Sequence, residues 1–260
     1  MIKTETREHI TTIELARLDK KNALTAAMYA AMTDTLAAAE SNSGVRAIMI
    51  HGARDCFTAG NDLKDFLEGP GGASQALRFV SALSKVRKPV LAAVGGPAVG
   101  IGTTLLLHCD LVYAAPDARF QLPFVPLGLV PEAASSLLLP MVAGYQRAAG
   151  WLLLGQAFTA AEALAAGIVT EIVPQETLIE RARAAAAALA ELPPESVRLT
   201  KQLMKRPVAA AVAEQMAEEA RLFAERLKSA EAKEAMAAFI EKRKPDFSRA
   251  LERQLESRKL

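Results

Sequence analysis

Histidine and cysteine are scarce in this chain, three and two among 260 residues. His9, His51 and His108 stand far apart without ligand spacing, so a metal site is not expected. Cys56 and Cys109 are too few for a disulfide scaffold and read as reduced thiols of a cytoplasmic protein. Charge of one sign is lacking too: 31 Lys and Arg nearly offset 29 Asp and Glu, leaving a formal +2. That balance gives no reason to expect a nucleic-acid groove or attachment to an anionic membrane. The opening MIKTETREHITTIEL alternates polar and apolar residues and has no secretory apolar core. The closing Arg-Lys-Leu falls short of the peroxisomal Ser-Lys-Leu signal. Residues 90–109 carry no Asp, Glu, Lys or Arg and match a membrane span in length. Four glycines and a proline in GGPAVGIG interrupt any such helix, so a buried strand, a turn and a helix are expected instead.

What is present is ordinary globular material, 51% apolar and 23% charged. A strand-like alternation covers His9 to Leu15. Thr25 caps a helix whose Met28, Met32 and Leu36 recur at helical spacing, and Gly44 lies beyond its end. Strands are expected at Ala47–Ile50, Val90–Val94, Leu111–Ala114 and within Ile168–Val173. Helices are expected at Ser74–Val86, from near Gly100, and from Pro131 at the position proline favours. From Glu176 onward the pattern is helical. Alternating strands and helices followed by helices imply an α/β fold. Residues 1–200 read as the core that carries the site, and 201–260 as a helical covering or oligomerisation region.

Three segments could hold chemistry. GPAVGIG places glycines between a buried strand and a helix, leaving the first helical amides open to an anion or a mere connection. FTAGNDLKDF is a second small-residue turn, equally able to be a helix cap. In VPLGLVPEAASSLLLP, Glu132 is the one charged residue. It either complements a helix dipole or is an acid whose apolar surroundings raise its pKa.

Taken together, LARLDKKNALT, FTAGNDLKDF, KPVLAAVGGPAVGIGTTLLLHCD, ARFQLPFVPLGLVPEA, AEALAAGIVTEIVP and FIEKRKPDF resemble the crotonase superfamily in its own order. This resemblance implies a crotonase-like spiral of ββα units with a C-terminal helical region. It implies an acyl-CoA substrate whose thioester oxygen is held by the backbone N–H groups of Asn61 and Ile101. Hydratases of that family use two glutamates; Thr104 and Phe124 stand at the matching positions here. The chain instead resembles the Δ3,Δ2-enoyl-CoA isomerase branch, whose single acid matches Glu132. The resemblance further implies an acyl pocket with Phe66, Phe124 and Leu129, CoA contacts from Lys64 and Lys242, and a homotrimer or dimer of trimers. No cofactor and no metal are expected, coenzyme A entering as the substrate's thioester. An isomerase of another dienoyl or ring-derived CoA ester, and a non-catalytic acyl-CoA-binding trimer, are the alternatives.

Overall fold

The computed structural model describes residues 1–62, 65 and 71–248. It opens with a hairpin: β1 (Ile2–Arg7) runs antiparallel to β2 (Ile10–Leu15) across Glu8 and His9, at φ 51° and 65°. Positive φ at both turn residues matches the twist of the paired strands. β1, with Ile2 its one apolar residue and everything after it exposed, lies outside the strand expected from His9. Next, α1 (Ala26–Ser41) is capped as expected, Met28 N donating to Thr25 Oγ1 at 3.3 Å. β3 (Ala47–His51) and α2 (Gly71–Lys85) come next.

The chain then repeats one order. β4 (Val90–Val94), β5 (Pro97–Val99) and the single-turn helix α3 (Ile101–Thr104) lead into a 3-10 turn at Leu105–His108. β6 (Leu111–Ala114) and β7 (Arg119–Gln121) lead into a 3-10 turn at Val125–Leu127. After these come α4 (Ser135–Ala143), α5 (Tyr145–Leu154), β8 (Phe158–Thr159), α6 (Ala160–Ala165) and β9 (Glu171–Ile172). The helices α7 (Leu178–Glu191), α8 (Pro194–Lys205), α9 (Ala209–Leu227) and α10 (Ala230–Ile240) follow.

Two sheets result. The larger has the order β1-β2-β3-β4-β6-β9 and is parallel from β2 onward; the smaller is β5-β7-β8. The turns that start with β4 and β6 visit the large sheet, then the small one, then a helical segment. This is the expected α/β spiral of ββα units. Both faces of the large sheet are covered, so its central strands are apolar throughout. Val90, Ala92 and Val94 face the main core, while Leu91 and Ala93 face the other way. There they meet Leu178, Ala182 and Ala186 of α7, whose four-residue spacing puts small side chains on one helical face.

The uncharged stretch 90–109 is thus divided among two strands, α3 and a 3-10 turn. Among the described residues no helix is long and apolar enough to cross a membrane. The C-terminal helices fold back on the spiral: α9 packs on α4, and α10 on the 3-10 turn at Val125–Leu127. The strand expected within Ile168–Val173 is there, at Glu171–Ile172. One expectation needs correction. The helix expected from Pro131 begins at Ser135, because Ala133 and Ala134 take left-handed φ of 62° and 55°.

Candidate functional site

The first glycine-bearing loop is held open by its neighbours. Asn22 is fully buried; its Nδ2 donates to Cys56 O and Phe57 O, each at 3.1 Å, and its carbonyl accepts from Thr58 Oγ1 at 2.7 Å. Arg17 pairs with Asp62 at 2.6 Å. The segment LARLDKKNALT therefore staples the loop from below. Along that loop Thr58 N donates to Pro97 O, Ala59 N to Lys21 O and Asp62 N to Leu24 O, all at 2.9 Å. Gly60 N reaches Thr58 Oγ1 at 3.1 Å. Asn61 N alone in this run has no acceptor among the described residues.

The second loop lies against the first. Val99 N donates to Thr58 O at 3.0 Å, and Gly100 N to Gln121 O at 2.8 Å. Ile101 opens α3, so its amide has no intrahelical partner, and none is found elsewhere among the described residues. The approach requires glycine. A Cβ on Gly60, at φ +90°, would lie 2.9 Å from Val99 O, and one on Gly102 would lie 2.4 Å from Thr58 Cγ2. Two spare N–H groups, on Asn61 and Ile101, thus stand on adjoining backbones.

Glu132 follows Pro131 but precedes α4, so it is no helix-dipole residue. Its carboxylate is buried, 7% exposed, and Thr104 Oγ1 donates to its Oε1 at 2.5 Å. Thr104 ends α3, the helix that Ile101 begins. Burial pushes the Glu132 pKa up to about 8, against the opposing hydrogen bond from Thr104, with the nearby Glu219 charge adding to the rise. At that value the carboxyl can both take and return a proton near neutral pH.

The turn that carries it is fixed on two further sides. His108 donates from Nε2 to Ala133 O at 2.8 Å; burial lowers the His108 pKa to about 4, so the ring is neutral. Glu219 of α9, 4% exposed, accepts from Ala134 N at 2.6 Å, from Ser136 N at 3.0 Å and from Ser136 Oγ at 2.5 Å. It caps α4 from a distant part of the chain and holds left-handed Ala134 in place, as His108 holds Ala133. Tyr29 of α1 closes the remaining side. Its buried hydroxyl donates to Asn61 Oδ1, and burial with the charges of Glu132 and Asp65 raises its pKa well above the usual tyrosine value.

Of the three residues expected from the sequence, Asn61 bonds Tyr29, while Ile101 shares α3 with Thr104, the hydrogen-bond partner of Glu132. Tyr29, His108 and Glu219 were missed, and Thr104 was seen only as a lost glutamate. Nothing local marks Glu219, which sits in an ordinary charged stretch, MAEEARLF. Phe124 and Leu129 are buried in the same core as Ile101. Lys64 and Phe66 lie outside the described residues. Lys242 is exposed just past α10, at φ 54°, with no contact among the described residues tying it to Glu132.

Comparisons with known proteins identify the family. The family described as Enoyl-CoA hydratase/isomerase matches residues 5–250. Enoyl-CoA delta isomerase 2 of Rattus norvegicus is 40% identical over 205 residues, 76% of this chain. The match spans only 52% of the rat protein, about half its length. A probable enoyl-CoA hydratase, echA8, of Mycobacterium bovis is 32% identical over 95% of this chain and 97% of its own. The crystal structure of an enoyl-CoA hydratase/isomerase from Pseudoalteromonas atlantica T6c superposes with a TM-score of 0.91 at 42% identity. It covers 94% of this chain and 98% of that one.

Proposed function

The chain belongs to the enoyl-CoA hydratase/isomerase family of the crotonase superfamily, and within it we propose an isomerase that moves a double bond from the 3- to the 2-position of an enoyl-CoA. The observation that carries this reading is the buried Glu132 carboxyl, poised near pH 8 and hydrogen-bonded to the helix that opens with the spare amide of Ile101.

The thioester oxygen accepts from Asn61 N–H and Ile101 N–H. Glu132 takes a proton from C2, and the electrons of that C–H bond delocalise through C1 onto the oxygen. The dienolate is stabilised by the two donors, each contributing about 2.7–4 kcal/mol where such donors have been measured. Glu132 then returns the proton to C4, using the electrons of the C3–C4 double bond, and a C2–C3 double bond remains. Nothing is consumed, so one carboxyl suffices. A hydratase must also activate water and deliver a proton to carbon. Thr104 and Phe124, where hydratases of this family keep their glutamates, supply neither group. Glu219, the other carboxylate nearby, is already occupied by three donors.

A homotrimer or dimer of trimers would give Leu199, Leu203 and Met204 on α8, exposed in one chain, a burial partner. Mass measurement in solution tests this.

The activity is tested by incubating the protein with a 3-enoyl-CoA in deuterated water and following the conjugated 2-enoyl thioester. Formation that vanishes in Glu132→Gln supports the reading. Formation of a 3-hydroxyacyl-CoA from a 2-enoyl-CoA would overturn it in favour of a hydratase. Deuterium entering C2 of an acyl-CoA without isomerisation would point to another dienoyl or ring-derived ester.

A further inference from the structure

Thr104 stands where the relatives' hydratase glutamate would be, yet it is engaged. Its side chain is fully buried, and its Oγ1 lies 2.5 Å from Glu132 Oε1 and 3.5 Å from Ile101 O. A hydroxyl has one proton to donate, and the shorter contact to the carboxylate takes it. The β-branch of threonine restricts χ1, so the hydroxyl is held on that line. Glu132 has no other hydrogen-bond donor among the described residues. The other groups near it are the carboxylate of Glu219 on α9 and the phenol of Tyr29 on α1, which donates to Asn61. His108 bonds the backbone of Ala133 rather than Glu132.

We infer that Thr104 is a positioning residue that occupies Glu132 Oε1, so that Oε2 alone shuttles the proton between C2 and C4. The inference rests on the isomerase reading. While Glu132 is ionised, Thr104 donates to Oε1. Oε2 accepts the C2 proton as the C–H electron pair passes into the dienolate. When Oε2 carries that proton, Oε1 is the carbonyl oxygen of the acid and still accepts from Thr104. Oε2 then releases the proton to C4. With Oε1 anchored, the carboxyl does not rotate, and the proton it carries stays on one face of the substrate. Because Thr104 and Ile101 share α3, the same rigid turn sets both the base and one oxyanion donor.

Thr104→Val keeps the shape and removes the donor. It is expected to lower kcat at least tenfold with KM changed less than threefold. The acid limb of kcat/KM should move up by about one pH unit, the loss expected when a hydrogen bond to a charged group is removed. Product formed in deuterated water should carry more solvent deuterium at C4. Thr104→Ser should restore all three readouts. Should the valine variant fail to fold, Thr104→Ala takes its place.

The direct measurement is the Glu132 titration, followed by carboxyl-carbon NMR in the unliganded protein with Glu132→Gln as the assignment control. An upward shift in Thr104→Val supports the inference, whatever substrate the wild type turns over. An unchanged titration overturns it. A fall in activity with an unmoved pH limb and unmoved deuterium content also overturns it, leaving Thr104 a packing residue. If the wild type isomerises no enoyl-CoA, the proposed function fails, and the titration still decides Thr104.

Discussion

Glu219 accepts a 2.6 Å hydrogen bond from the backbone amide of Ala134, 85 residues earlier and two after Glu132. A carboxylate on one of the last helices thereby seats the turn that presents the candidate base. It also adds a like charge that raises the Glu132 pKa. The two roles make Glu219→Gln informative. The amide side chain must turn an N–H toward one of its present donors, costing about 1–3 kcal/mol of stability. Loss of the charge should move the acid limb of kcat/KM down, opposite in sign to Thr104→Val. Chemical denaturation and a pH–rate series on the same sample read both effects.

The pH dependence of the wild type follows from Glu132. A base must be ionised to accept a proton, and with a pKa of about 8 only about a tenth of it is ionised at pH 7. kcat/KM is expected to rise nearly tenfold per unit from pH 6 to 7 and to level off above pH 8. A plateau already reached at pH 6 would mean that the limiting base is another group.

Stability should show the reverse trend. The Glu132 pKa is raised on folding from 4.5 to about 8, so between these values the folded state holds a proton that the unfolded state has lost. The contribution is fully present below pH 4.5 and is lost as pH rises through 8. Glu132→Gln removes this dependence. The variant is therefore expected to be more stable than wild type at pH 9 and to gain little at pH 5. Each kcal/mol should appear as about 2–4 °C in Tm. Paired melting curves at the two pH values decide it.

The contact between the two glycine loops predicts a third class of variant. Gly102→Ala sets a methyl 2.4 Å from Thr58 Cγ2. The loops must part, taking the spare amides of Asn61 and Ile101 with them. A displacement near 1 Å should cost about 10²-fold in kcat/KM while the circular dichroism spectrum is kept. Near-normal turnover would show that the amide positions tolerate the shift.

The strands at Val90–Val94 and Leu111–Ala114 were legible because burial on both faces leaves short apolar runs bounded by turn residues. Thr25 was legible as a cap because its bond is local. The helix start at Pro131 misled for the opposite reason: Ala133 and Ala134 are held left-handed by His108 and Glu219, partners no local window contains. Asn61, Ile101 and Glu132 are candidates through motif order, while the residues that hold their loops, Asn22, Tyr29 and Glu219, are set by tertiary contacts. An edge strand such as Ile2–Arg7, exposed after its first residue, has too little apolar content to mark its bounds.

The distance along the chain between Ala134 and Glu219 also sets a schedule for synthesis. Domains take shape from the N-terminus as they emerge, at about 5–20 residues per second. The loops bearing Asn61 and Ile101, stapled by Asn22 and Arg17, draw only on residues made early. The cap on the Glu132 turn waits for a carboxylate made 85 residues later, about 4–17 s at those rates. On the ribosome, the two glycine-bearing loops are therefore expected to be in place before the Glu132 turn is, and that turn to be set only once α9 has emerged.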